Sequence, residues 1–379
     1  MAEYKIISSD SHVFEPSDLW TSRVDARFKD RAPHVVRREE DHTDWWVCDG
    51  VKGVGGGSGG SQAGKRFVPE ERDSLRFGDV MENVRPGAYI PEEHLKDLDL
   101  DLDGIDADVL YPTQGLLLYS IPDSALLTVL CRAYNDWLAE FCQPFPQRIK
   151  GIAMLNVDDV AESVKELERC AKLGLCGAMI TVYPLEGHSY DSPEYEPLWA
   201  AAQDLGLPLS LHIATNRPAP NSPLVDLEAV STAFLTNVDY WVRMSLSHII
   251  FSGVFERYPK LQIGSVEQEL AWVPHFLERM DYNFIQRPAT GGRQKFKEDM
   301  LPSDYFRRNV FLSFQEDALG IRDRDIIGVD NILWGSDYPH PECTFPHSRQ
   351  VLETVLADCS EEEKAKIVGG NTARIYHFD

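Results

Sequence analysis

Residues 4–13 read Tyr-Lys-Ile-Ile-Ser-Ser-Asp-Ser-His-Val, a short apolar run that ends on two polar side chains spaced two apart. A strand over Tyr4–Ser9 sends alternate side chains to opposite faces, so Asp10 and His12 leave its end on the same side. The pattern returns twice further along. Pro208–Ile213 reads Pro-Leu-Ser-Leu-His-Ile and carries His212 near its end, and Ile332–Ser336 runs straight into Asp337. Strands that finish on such side chains suit a parallel barrel, where the chemistry gathers at the C-terminal strand ends.

Working outward, five more β-rich runs complete the set: Asp108–Tyr111, Lys150–Leu155, Gly177–Val182, Leu261–Val266 and Val310–Phe314. Each is nearly continuous in apolar residues, as expected of strands covered on both faces. Between them lie amphipathic stretches at Ser124–Phe141, Val160–Leu173, Tyr195–Leu205, Asp226–Arg257 and Leu270–Phe284. Eight strand–helix units is the count that closes an α/β (β/α)8 TIM barrel. An open doubly wound sheet would announce a phosphate-binding turn after its first strand, and none is present. Near the end, Ser360 with Glu363 forms a capping box that opens a helix, which Gly369-Gly370 is expected to stop.

The whole chain, 1–379, reads as one such domain with a long insertion between its first and second strands. Residues 21–88 are polar and contain Trp45, Trp46 and a glycine run from Gly53 to Gly60. They read as a small inserted β element plus a Gly-rich flap over the barrel mouth. Gly55, Gly57 and Gly60 form a GxGxxG, but it neither follows a strand nor opens a helix, so a nucleotide site is not implied.

A net charge of −24 and a pI near 4.8 argue against nucleic acid as a partner, since phosphates need clustered Lys and Arg. No apolar run approaches the ~20 residues of a membrane span, and no basic, then apolar, leader opens the chain. Seven scattered cysteines without a CxxC pair suit a reducing cytoplasm. These features point to a cytoplasmic protein.

Two imidazoles and two carboxylates suit one divalent ion such as Zn²⁺ or Mn²⁺, with a position left for water or substrate. Asp10, His12, His212 and Asp337 are therefore the candidate metal ligands. A lone strand-end histidine is commonly a structural residue and Asp10 alone can cap a turn. The set of four at strand ends one, five and eight favours the metal.

These residues also carry a resemblance. Asp10-Ser-His-Val-Phe-Glu-Pro16, Leu-Gly-Leu-Pro-Leu-Ser-Leu-His212, Ser252-Gly-Val-Phe-Glu-Arg-Tyr-Pro259, Gly335-Ser-Asp-Tyr-Pro-His340 and Gly-Gly-Asn371-Thr-Ala-Arg-Ile span nearly the whole chain. Together they resemble the amidohydrolase superfamily, in the branch of aminocarboxymuconate semialdehyde decarboxylase and the resorcylate-type decarboxylases. The resemblance implies a single divalent metal on Asp10, His12, His212 and Asp337, and a homodimer or larger homo-oligomer. Asp10 replaces the family's first histidine or glutamate. After the sixth strand, where many members carry a histidine, this chain offers Glu267, which becomes the candidate for handling a proton or orienting substrate. The fourth strand lacks the lysine that bridges two metals in binuclear relatives.

The resemblance implies a carboxy-lyase acting on a small aromatic or unsaturated carboxylic acid. The metal would stabilise developing charge, Asp337 would supply the proton, and His340 would bind a carboxylate or assist. A mononuclear hydrolase of an amide, ester or lactone bond is the alternative, with Asp337 as general base. A barrel with a degenerate site that only binds a ligand is the reading outside enzymology. Glu15 is a candidate to hydrogen-bond His12 from behind or to brace the turn at Pro16.

Overall fold

Runs of Val, Ile and Leu shielded on both faces become the staves of the structure. It is a computed structural model that describes residues 5–49, 51–55, 58–72, 79–99, 101–217, 232–287, 296–297 and 299–378. Eleven strands occur among these residues. They are β1 (Ile7–Val13), β2 (His34–Arg37), β3 (Asp44–Cys48), β4 (Val51–Gly55), β5 (Ala107–Pro112), β6 (Ile149–Met154), β7 (Gly177–Ile180), β8 (Leu209–His212), β9 (Ile263–Val266), β10 (Val310–Phe314) and β11 (Ile332–Trp334).

Eight of them form one parallel sheet in the order β1-β5-β6-β7-β8-β9-β10-β11. Every residue of those strands is buried except Lys150. The last stave returns to the first: Asp337 N donates to Asp10 O at 2.9 Å, and His12 N to Tyr338 O at 2.6 Å. The result is the α/β barrel that the sequence implied. Side by side with this seam, Gly335 lies so close that a Cβ there would meet the Asp10 Cβ at 2.6 Å. Only glycine fits.

The first stave lies further along the chain than the sequence suggested, beginning at Ile7 and taking Asp10 and His12 into the strand. Its pairing with β5 shifts between Ser8 and Ser11, a bulge that re-aims the side chains beyond it. The insertion holds a three-stranded antiparallel sheet, β2-β3-β4. Its β4 lies against the short helix Gln114–Leu118 that leaves the end of β5. Gly56 and Gly57 of the glycine run lie outside the described residues. Gly53–Gly55 belong to β4 and Ser58–Ser61 form a helical turn.

Helices start where the sequence supplies caps. Asp123 accepts from Ala125 N and Leu126 N to open Ser124–Cys142, and Asp159 accepts from Glu162 N to open Val160–Leu173. The stretch expected as one helix over Asp226–Arg257 is divided. Residues 226–231 lie outside the described set, and the rest forms Thr232–Thr236, Asp239–Phe251 and Val254–Arg257.

Ser360 and Glu363 form the reciprocal capping box, but the chain does not stop at Gly369-Gly370. It passes through a wider π turn over Lys366–Gly370 into the helix Asn371–Tyr376. Contact explains this: Gly369 sits against the Lys5 carbonyl, where a Cβ would come within 2.2 Å. Asn371 Nδ2 donates to the carbonyls of Val329 and Ile332, both at 2.8 Å, and fastens this helix to the foot of β11.

Candidate metal centre

The C-terminal ends of the staves deliver the candidate residues to one place. Asp10 and His12 come from β1 and His212 from the last position of β8. Glu267 follows β9, and Asp337 and His340 follow β11. Asp10, His12, His212 and Asp337 are all almost fully buried. Glu267 and Asp337 both adopt left-handed backbone, with φ of 61° and 59°. Non-glycine residues pay for that conformation with local strain, which concentrates at functional positions.

The histidine orientations are set from behind. His12 Nδ1 lies 2.8 Å from Pro112 O, and His212 Nδ1 lies 3.0 Å from Ile213 O. A carbonyl only accepts, so each neutral ring keeps its proton on Nδ1 and turns the Nε2 lone pair inward. That is the arrangement a metal ligand needs. Glu15 does not brace His12. Its buried carboxyl instead accepts from Gln114 N (2.9 Å) and Gly115 N (2.8 Å), capping the helix after β5.

Around the inward-facing nitrogens the spacing is close. His12 Nε2 stands 3.6 Å from Asp10 Oδ1 and 3.3 Å from Asp337 Oδ1. His212 Nε2 stands 3.5 Å from Asp10 Oδ1 and 3.3 Å from Glu267 Oε2. The residues fall into two overlapping groups of converging atoms. One is Asp10, His12, His212 and Glu267; the other is His12, Glu267, Asp337 and His340. Glu267, read from sequence as a proton handler, therefore also stands where a ligand would.

Asp10 Oδ1, His12 Nε2, His212 Nε2, Glu267 Oε2 and Asp337 Oδ2 are buried without a hydrogen-bond partner. Each such atom costs about 1–3 kcal/mol when left unsatisfied, and more if charged. Lone pairs from two imidazoles and three carboxylates have nothing to share among themselves but repulsion. A divalent cation turns that repulsion into coordination, so the donor set fits the metal that the sequence implied.

The local electrostatics agree. Burial, then the charges of Asp337 and Asp10, push Glu267 well above the ordinary carboxylate range. Burial also raises Asp337 on its own, but His340 and His12 outweigh it and hold the carboxyl low. His340 Nδ1 is 2.8 Å from Asp337 Oδ1. Burial works against a charged His340 ring, yet its carboxylate neighbour lifts the imidazole to about 9. The ring also stacks on His12 with centroids 3.9 Å apart.

Two contributors escaped the sequence reading. Thr113 Oγ1 lies 3.1 Å from His340 Nε2 and so fixes the far side of that ring. Tyr111 packs beside His212 with ring centroids 5.0 Å apart and walls the centre from the barrel interior. They are two apart at a strand end, the spacing that picked out Asp10 and His12. His275 is exposed, His248 lies on the helix Asp239–Phe251, and Trp334 is fully buried in the core.

A sequence profile described as amidohydrolase matches residues 123–378. The chain belongs to the amidohydrolase family. A gamma-resorcylate decarboxylase of Polaromonas sp. (strain JS666) is 28% identical over 292 residues, covering 74% of this chain and 86% of that protein. An amidohydrolase structure from Mycobacterium avium subsp. paratuberculosis K-10 superposes with a TM-score of 0.78 at 22% identity, over 99% of this chain and 100% of that one. A dihydroxybenzoic acid decarboxylase of Polaromonas sp. JS666, solved with bound manganese and 2-nitroresorcinol, superposes with a TM-score of 0.65 at 22% identity, covering 99% and 97%. Within the family the chain stands in the branch of resorcylate and aminocarboxymuconate semialdehyde decarboxylases.

Proposed function

We propose that this amidohydrolase is a non-oxidative decarboxylase of a small aromatic carboxylic acid, working on one divalent metal ion. The observation that carries the reading is the set of buried, unpartnered donor atoms at the strand ends of β1, β8, β9 and β11. The decarboxylases among its relatives favour the reaction class. Asp10, His12, His212 and Asp337 are the ligands proposed, with Glu267 close enough to complete or exchange into the set. Manganese is favoured over zinc by the ion bound in a dihydroxybenzoic acid decarboxylase of the same fold.

When bound, the ion supplies Lewis acidity that holds an anionic substrate and steadies charge as its C–C bond breaks. The chain's own residues handle the proton. In Ar–COO⁻ + H⁺ → ArH + CO₂, the ring carbon takes a proton and the bond to the carboxyl carbon supplies the electron pair. His340 holds that proton on Nδ1, which stands 2.8 Å from Asp337 Oδ1. Asp337 passes it on, and His340, stacked on His12 and held by Thr113, replaces it. Glu267, beside His212, orients the substrate.

The same reading takes residues 1–379 as one catalytic domain and the 21–88 insertion as the cover of the barrel mouth. It also expects a homo-oligomer in a reducing, cytoplasmic setting, in keeping with seven unpaired thiols. The test is a panel of hydroxybenzoates and simple esters given to manganese-loaded protein. CO₂ release with the matching phenol supports the proposal. Acid release from esters or lactones, without CO₂, supports a hydrolase instead.

A further inference from the structure

The loop after β8 runs from His212 to Arg217, and its path decides where the His212 ring points. The imidazole Nδ1 is tied to the carbonyl of Ile213 within that loop, so any shift of the loop swings Nε2 away from Asp10 and Glu267. The loop is tense as well as short, since Ala214 sits at a φ of 65°. Thr215 steadies its middle: the hydroxyl donates to His212 O at 2.7 Å and accepts from Val182 N at 2.7 Å.

Arg217 fastens the far end. Its guanidinium is 1% exposed, and the Asp158 carboxylate it meets is 7% exposed. Nε donates to Asp158 Oδ1 at 3.0 Å and Nη2 to Oδ2 at 2.7 Å. Nη1 donates to the carbonyls of Tyr119 and, at 2.7 Å, Ile121. The backbone N of Arg217 donates to Tyr183 O at 3.0 Å. Those partners lie on the segments leaving β5, β6 and β7. One residue thus joins the loops of four consecutive staves. A planar fork of donors can do this, whereas a lysine ammonium cannot span both a carboxylate and two carbonyls.

Committed in this way, the guanidinium is not available to bind substrate. We propose that Arg217, through Asp158, is a positioning residue that holds the His212 loop in the shape the metal centre requires. This rests on His212 being a metal ligand.

The test compares wild type, Arg217→Lys and a control, Arg169→Lys. Arg169 forms a similar network with Glu166 and Asp136 on the outer helices, away from the barrel mouth. Manganese affinity is measured by equilibrium dialysis against a chelator buffer, and the thermal midpoint is recorded in excess manganese. Arg217→Lys is expected to lose on the order of 10–100-fold in affinity, the usual effect of removing a group that orients a ligand. The control is expected to bind as wild type does, whatever its midpoint. Wild-type affinity in Arg217→Lys, or an equal loss in the control, overturns the proposal. Should Arg217→Lys fail to fold, Asp158→Asn takes its place and is expected to bind manganese at least several-fold more weakly; unchanged affinity there also overturns it. A wild-type protein that takes up no manganese overturns the metal reading, and this inference with it. Uptake undiminished by the substitution overturns the inference alone.

Discussion

His12 and His212 each give one ring nitrogen to a backbone carbonyl and turn the other toward carboxylates, three of them around His12 and two around His212. Replacing either by alanine removes a donor without disturbing the outer helices. His212→Ala is expected to abolish manganese binding and turnover while far-UV circular dichroism stays close to wild type. Retention of more than a few per cent of activity would rule out the assignment. Glu267 tests the boundary between ligand and proton handler. Its Oε2 is 3.3 Å from His212 Nε2, so Glu267→Gln is expected to weaken manganese binding on the order of tenfold as well as slow turnover. Undiminished metal with slow turnover would return it to a purely substrate-facing role. At His340, the glutamine variant is expected to keep its metal and lower kcat by roughly 10²–10⁴, the range for losing a positioned acid–base group. Metal titration beside steady-state kinetics separates the two effects.

At the level of elements, two polar side chains hold the frame that presents the site. Asn371 bridges the C-terminal helix to two carbonyls at the foot of β11. Asn371→Ala is expected to cost about 1–3 kcal/mol of stability, because buried acceptors lose their donor; urea unfolding measures it. Glu15 is different, since burial pushes its carboxyl up to about 7 from an ordinary 4.5, against the helix N–H groups that favour the charged form. The folded state therefore holds this proton more tightly than the unfolded chain. The stability it contributes is complete below about pH 4.5 and is lost as pH rises through 7, on the order of 3 kcal/mol in all. Glu15→Gln is expected to flatten the dependence of the thermal midpoint on pH between about 5 and 7. An unchanged slope would assign that dependence to other groups.

Much of this frame was legible from particular residues. Continuous apolar runs marked the buried staves, and i, i+2 spacing put Asp10 and His12 on one face. Ser360 with Glu363 marked a real helix start. What escaped depends on contacts distant in sequence. Glu15 sits near His12 in the chain, yet its partners are the backbone of residues 114 and 115. Gly369-Gly370 looks like a helix stop, but a close approach to Lys5 O requires glycine there and the chain continues. The Arg217 clasp joins four loops and has no local signature. Thr113 was readable by the rule that found His12, but a threonine carries too little chemistry to stand out alone.

For the molecule as a whole, an acidic chain of net charge −24 gathers buried carboxylates at one end of its barrel. A cation that binds only the folded state must then stabilise it, by about 3 kcal/mol at a hundredfold excess over its dissociation constant. Chelation is accordingly expected to lower the thermal midpoint by several degrees and manganese to restore it. Among the described residues no helix is long and apolar enough to cross a membrane. The central claim is most directly tested by CO₂ evolution from hydroxybenzoates, measured with chelator-stripped protein before and after manganese is returned. The account predicts CO₂ and the corresponding phenol in equal amounts only in the manganese-loaded sample. Fully loaded protein that releases no CO₂ from any hydroxybenzoate, yet liberates acid from esters or lactones, would contradict it.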